Sequence, residues 1–319
     1  MAHPTAEPTN QWVAEHTFII VAILLLVDSL HFVFARLLNP HLPPVTAALY
    51  VLALSTVETA VYLAATKRFN FSVFLDNKRF FLAIGFLVAF ATTLSYASVA
   101  YIDPGTASLL ARTGTLFALG FSLIWLKERL SKGEWLGAGV TLFGVFLISF
   151  QPGDYFQTGA LIVLGSTFAY ALHAAIVKKY GGGLEFSNFF FFRVASTTGF
   201  LLLFTFGQAQ FQMPSRPVWL LLLLTGTVDV VISRVLYYLA LRQLRMSFHA
   251  LILTLSPVIA VIWSYLLFGT VPMLQGVVGG TAVLLGIIII TLSKRNEANS
   301  LKRPLSHKNP EIGLKNIDE

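Results

Sequence analysis

Eight ionisable side chains fall inside long apolar stretches of the sequence: Asp28, His31, Glu58, Arg112, His173, Asp229, Arg234 and His249. A charge in hydrocarbon is costly, so each is expected to face a cavity or a partner. Asp28 and His31 are three residues apart and would share one helix face. A carboxylate beside an imidazole can hold or pass a proton near neutral pH, which makes the pair the candidate proton-coupling site. A satisfied structural hydrogen bond would use the same two residues. Arg112 lies about 12 Å along its apolar run at 1.5 Å per residue, too deep for easy snorkelling. It needs Asp28, Asp229 or an anionic group on a substrate. Arg234 lies deeper still, with Tyr238 one turn on along the same face and Asp229, five residues away, off it. Structural ion pairing accounts for each arginine as well as substrate contact does. Arg36 and Arg193 lie nearer the ends of their runs and read as snorkelling side chains.

Aromatic walls with a few polar groups suit a small organic ligand, and Tyr96, Tyr238, Phe121 and Trp263 could supply them, although core packing would use the same rings. The candidate substrate-binding residues are therefore Arg112, Tyr96, Asp229, Arg234, Tyr238, Trp263 and His173. Pro257 lacks an amide hydrogen and frees a carbonyl one turn earlier, near Leu253, so it is a candidate hinge or a simple packing kink. Glu128, among Lys127, Arg129 and Lys132, reads as a solvated surface pair. No catalytic residue, cofactor or metal site is expected. The chain has no Cys, no His-Glu-x-x-His run and no Gly-x-Ser-x-Gly turn.

The elements that carry these residues are membrane spans. The 319 residues are 56% hydrophobic and 12% charged, against about 25% charged in ordinary soluble chains. Apolar runs fall at 17–38, 44–66, 79–99, 104–126, 133–150, 156–178, 186–206, 217–241, 247–268 and 273–293. Lipid offers the backbone no partner but itself, so each should be a helix. Alternate gaps hold Lys67, Arg68, Lys78 and Arg79; Lys127, Arg129 and Lys132; Lys178 and Lys179; and Arg242 and Arg245. The remaining gaps carry only Arg216. Basic gaps stay cytoplasmic, which places both termini there. The net charge of +7 is thus an orientation signal, and no nucleic-acid partner is expected. Residues 1–16 read as a cytoplasmic tail, and 294–319 as a polar, solvated one.

One internal offset, 142 residues, aligns the chain with itself. Leu30-His31 maps to Leu172-His173, Tyr96 to Tyr238 and Phe121 to Trp263. Leu109, Ala118 and Ser122 map to Leu251, Ala260 and Ser264; Gly137, Leu142 and Gly144 map to Gly279, Leu284 and Gly286. The shift moves the first span onto the sixth. Five is odd, so the second copy should lie upside down, giving an all-α membrane protein of ten helices in two inverted five-helix repeats, 17–150 and 156–293. Inverted repeats place a substrate site near the midplane between the halves. Small residues allow close helix approach. The glycines of the fifth and tenth spans therefore either pack those spans together or form a homodimer face.

Two stretches carry a family resemblance. One runs from Ala107-Ser108-Leu109-Leu110 to Leu126-Lys127-Glu128-Arg129-Leu130-Ser131, then Gly137 and Gly144. The other runs from Ala250-Leu251 through Ser256-Pro257-Val258 to Gly279 and Gly286. The chain resembles the EamA-type ten-helix members of the drug/metabolite transporter superfamily. It departs from them at Thr115, where the second copy has Pro257, and at Thr270, where the first has Glu128. The resemblance implies secondary transport of a small organic metabolite across the plasma (bacterial inner) membrane, often proton-coupled. The buried arginines favour a carboxylate-bearing solute such as an amino acid. A broad-specificity drug exporter is the alternative within that class; a channel or a membrane scaffold is the alternative outside it.

Overall fold

The computed structural model describes residues 17–125, 130–151, 155–243, 253–270 and 272–301. Among them the regular structure is helical, apart from a two-residue antiparallel pair, β1 (Phe150–Gln151) with β2 (Tyr155–Phe156). Eight helical segments are long and apolar enough to cross a bilayer: Ile19–Leu38, Pro44–Ala65, Lys78–Ser98, Pro104–Trp125, Thr158–Tyr180, Phe186–Gly207, Arg216–Tyr237 and Leu274–Ser293. Two more helices, Lys132–Ser149 and Ser256–Phe268, lie between these segments.

Several segments are not single helices. The first is α1 (Thr17–Asp28) and α2 (His31–Leu38), interrupted at Ser29–Leu30. Next come α3 (Pro44–Ala65), the short α4 (Ser72–Asp76) and α5 (Lys78–Ser98). The run expected at 104–126 divides at Arg112–Thr113 into α6 (Pro104–Ala111) and α7 (Gly114–Trp125). Helix α8 (Lys132–Ser149) leads through the β pair to α9 (Thr158–Tyr180) and α10 (Phe186–Gly207). The run at 217–241 is α11 (Arg216–Thr225), a π-helical turn (Gly226–Ile232) and α12 (Ser233–Gln243). The next run turns at Thr254–Leu255, and α13 (Ser256–Phe268) begins there with Pro257 in its first turn, where a missing amide hydrogen costs nothing. The two turns at 112–113 and 254–255 are 142 residues apart.

The last helix, α14 (Leu274–Leu301), runs past the boundary expected at 293. Its final turns hold Lys294, Arg295, Glu297 and Ala298, good helix formers that continue the hydrogen-bond ladder.

Glycine positions bring α8 and α14 together. A Cβ on Gly137 would lie 2.6 Å from the Gly286 carbonyl oxygen, and one on Gly144 would lie 2.5 Å from that of Gly279. Nothing larger than hydrogen fits at these positions. The four glycines are repeat equivalents, and swapping the halves turns each contact into the other. Thr56 and Thr198, also 142 residues apart, hydrogen-bond to each other at 2.9 Å. Helix α3 packs on its repeat equivalent α10, and α6 of the fourth span packs on α13 of the equivalent ninth. Helix α5 packs on α9, as α12 does on α1.

At the end of the bundle bearing Lys67 and Arg68, Glu185 caps α10 by accepting from the amides of Ser187 (3.1 Å) and Asn188 (2.8 Å). Buried Asn188 donates to the Arg68 carbonyl and accepts from the Asn70 amide, which ties the gap after α3 to α10. Partial burial opposes ionisation of Glu185. The bonds from Asn188 and Ser187 outweigh it and hold the carboxyl below its usual range. Glu185→Ala should lower stability in detergent by about 0.5–2 kcal/mol, read as a lower Tm. The folded pKa is depressed, so this contribution is full above the ordinary glutamate value and lost as pH falls through the lowered one. The native and variant Tm values should therefore converge in acid.

Candidate functional site

The breaks in three spans meet at one ion pair. Asp28 ends α1, Arg112 sits in the turn between α6 and α7, and Ser256 opens α13. Arg112 Nη2 donates to Asp28 Oδ2 at 2.8 Å and to Ser256 Oγ at 2.6 Å, and Ser256 Oγ donates to the same carboxylate oxygen at 2.8 Å. Both charged side chains keep about a fifth of their surface open, 23% and 22%. Trp263 Nε1 donates to Ser29 Oγ at 3.1 Å, which fastens the break in the first span to α13. A helix break frees backbone groups, which is tolerated at membrane depth only against protein or a polar cavity.

His31 opens α2 and faces a second carboxylate. Its Nδ1 lies 2.8 Å from Asp229 Oδ2, on the π turn, and its Nε2 lies 3.1 Å from Ser95 Oγ on α5. The Tyr96 ring, 2% exposed, stands edge-on to the imidazole at 6.1 Å. A π turn inserts a residue into the helical repeat and re-aims the side chains it carries. This one is held from α3: Ser55 Oγ donates to the Gly226 carbonyl at 3.2 Å, and Thr227 Oγ1 donates to Glu58 Oε1 at 2.6 Å.

A third group lies on α5, α9, α10 and α12. Tyr170 Oη and Thr92 Oγ1 are 2.7 Å apart. His173 hydrogen-bonds the Tyr170 backbone, and its Nε2 is buried without a partner. The Arg193 guanidinium lies over the Phe190 ring at 5.9 Å, with its Nε also buried and unpartnered. Arg234 makes no hydrogen bond or ion pair among the described residues. It is exposed, and it lies within electrostatic reach of Asp28, His31, Tyr170, His173 and Arg193. An arginine at mid-span costs about 2.5–3.5 kcal/mol on insertion scales, so an unpaired one is an expensive feature to keep.

These contacts correct two expectations. Asp28 and His31 do not bond each other: the helix is interrupted between them and each has its own partner, Arg112 and Asp229. Arg193 does not snorkel to the surface; its Nε is buried and its guanidinium lies over the Phe190 ring. Phe121 packs on Phe168 at 5.6 Å, whereas its repeat mate Trp263 bonds Ser29. Arg112 does meet Asp28, one of its two expected carboxylates. Arg36 donates to the Val99 carbonyl. Pro257 lies beside Ser256 at the site. The Tyr238 side chain, His249 and Glu128 lie outside the described residues. The sequence reading missed Ser29, Ser95 and Ser256. Hydroxyls carry little signal of their own, although Ser256 adjoins Pro257 and is the repeat equivalent of Gly114.

Apolar spans around charge pairs at broken helices define a multi-pass membrane protein of the transporter class. More specifically, the chain belongs to the EamA-like transporter family, whose model matches residues 16–150 and again 157–292. It is 30% identical to an uncharacterised transporter of Bacillus subtilis, over 68% of this chain and 72% of that one. It is 27% identical to a riboflavin transporter of Vibrio cholerae, over 78% and 83%. A probable terminal-alkyne amino-acid exporter of Streptantibioticus cattleyicolor is 25% identical over 66% and 73%. A solved crystal structure superposes with a TM-score of 0.60 at 16% identity, covering 89% of this chain and 99% of that one, a likeness of fold.

Proposed function

We propose that the protein is a secondary transporter that exports or exchanges a small carboxylate-bearing metabolite across the plasma membrane by alternating access. The single observation that carries the substrate class is Arg234, an exposed guanidinium partway along a span that makes no hydrogen bond or ion pair among the described residues. An anionic ligand is the group that would complete it. The alternating mechanism rests on ten spans in two inverted halves, with both termini cytoplasmic. The exchange of glycine contacts between α8 and α14 supports a two-fold relation, as does the Thr56–Thr198 bond between equivalent residues. The paired breaks at 112–113 and 254–255 support it too, because discontinuous helices flank the substrate in inverted-repeat transporters. Proton coupling is assigned to His31 with Asp229, since imidazole titrates near neutrality. The close glycine faces of α8 and α14 are occupied within one chain, so a homodimer would need another surface.

The test is counterflow in liposomes with labelled amino acids and other carboxylates. Uptake should saturate and be accelerated by unlabelled solute inside, whereas a channel would show neither. Arg234→Gln should weaken the half-saturating concentration at least about tenfold, the worth of one charge-assisted contact. Unchanged affinity would remove Arg234 from the site, and transport of neutral solutes alone would refute the carboxylate assignment.

A further inference from the structure

The gap after α3 and one face of α10 form a groove of about 560 Å³. Its mouth is aromatic. Phe69 and Phe71 precede α4 and Phe74 lies on it; all three rings pack on the buried Phe192 of α10, at 5.9, 6.1 and 5.5 Å. The bonds of Asn188 to Arg68 and Asn70 hold the same gap against α10, so the fold itself sets the mouth. The floor is made of small residues. Ala195, Ser196 and Gly199 line it, and a Cβ on Gly199 would meet nothing within 4 Å. The groove follows α10 from Phe191 to Leu203, about 18 Å at 1.5 Å per residue. One leaflet's share of the hydrocarbon core is about 15 Å. Leu82 and Leu203 on the rims are 47% and 64% exposed, so the groove opens sideways from the bundle.

Four cations flank the mouth. Lys67 and Arg68 directly precede Phe69, and Lys78 and Arg79 open α5 one turn before Leu82. All four are exposed, and they make no ion pair among the described residues. Asp76 is the single carboxylate of that stretch. Topology alone accounts for cations in such a gap. It does not account for an apolar groove one leaflet long that starts beside them. A phospholipid has the matching layout, with its phosphate at the interface and its chains in the hydrocarbon. A zwitterionic head group would bring a cation of its own to four like charges. A second copy of the chain fits less well, because a two-fold contact through this face would set the four cations against their own copies. We propose that the groove binds one acyl chain of an anionic phospholipid, whose phosphate lies among Lys67, Arg68, Lys78 and Arg79. Basic clusters at the ends of spans recognise anionic head groups in this way.

The experiment titrates the purified protein in detergent with dioleoyl phosphatidylglycerol and with dioleoyl phosphatidylcholine, which share their chains and differ in the head group. A ligand of the folded state raises the Tm with its concentration. Phosphatidylglycerol should reach half its maximal effect at a concentration about tenfold below that of phosphatidylcholine. Inorganic phosphate, which lacks the chain, should leave the Tm unchanged. Gly199→Leu fills the groove from a position whose Cβ meets nothing, and it raises helix propensity. Its Tm without lipid should be no lower than native, and it should need about tenfold or more phosphatidylglycerol for the same rise. Replacing Lys67, Arg68, Lys78 and Arg79 together by Gln should make the two lipids equivalent. An equal or absent response of the native protein to the two lipids overturns the site. So does a preference that survives either variant, which places the lipid elsewhere on the spans, and so does a matching response to inorganic phosphate. A native protein that is dimeric in detergent and becomes monomeric in Gly199→Leu assigns the groove to a second copy instead.

Discussion

Arg112→Ala is expected to reduce transport about a hundredfold or more while the protein still inserts. Arg112 bonds Asp28 and Ser256 through one nitrogen, and these three residues stand at the breaks of three spans. Removing the guanidinium leaves Asp28 with a single hydroxyl partner inside the membrane. Breaking a buried pair from one side costs about 3–5 kcal/mol, and the partial openness of this pair puts it toward the lower figure. That is a large part of a total stability of about 5–15 kcal/mol, so a lower Tm is expected as well. The control is the double variant Asp28→Asn/Arg112→Gln. It removes both charges and should recover most of the lost Tm, yet transport should stay low, because the ionic link between the first and fourth spans is gone. Normal counterflow by Arg112→Ala at matched insertion would take the pair out of the mechanism.

The apolar runs and the repeat could be read from the sequence because hydropathy and identity are local properties. The breaks could not, except where Pro257 announces one. Arg112–Thr113 turns without a proline, at the position equivalent to the turn before Ser256. Ser29–Leu30 has neither Gly nor Pro. Ser29 is bound from Trp263, 234 residues away, a contact that no spacing argument contains. The π turn is similarly held by Ser55 and Glu58 of another helix. The Asp28–His31 spacing likewise holds no information on the partners the two side chains take on other helices, Arg112 and Asp229. Arg193 was misread for a different reason. Depth along a helix, about 10 Å here at 1.5 Å per residue, does not say which way a side chain turns. The fold alone shows it: the Arg193 Nε is buried and the guanidinium lies over the Phe190 ring.

The two halves share positions and differ in chemistry at those positions. Thr92 and Tyr170 are bonded hydroxyls; their equivalents, 142 residues away, are Arg234 and Asp28, an unbonded cation and an anion. His31 has Asp229. Its equivalent, His173, has Leu87 at the position matching Asp229, and its Nε2 is left without a partner. A histidine–carboxylate pair therefore joins His31 of the first half to Asp229 of the second, and among the described residues the repeat-equivalent positions, His173 and Leu87, form no such pair.

That asymmetry makes Asp229→Asn the decisive test of coupling. Transport by the native protein should respond to an imposed pH gradient, because loading and unloading of the His31–Asp229 pair is tied to the spans it joins. The imidazole reaches α5 through Ser95 and the π turn through Asp229, so its protonation state acts on three spans at once. An amide at 229 can still bond the ring but no longer provides a counter-charge for imidazolium. Gradient-driven uptake should then fall to the rate measured without a gradient, while counterflow, which needs no net proton movement, should fall much less. His31→Gln should give the same flattening by removing the other member of the pair. If the gradient response survives both changes and is lost instead in Asp28→Asn, the proton is carried at the Arg112 pair, and His31–Asp229 is a structural bond across the halves.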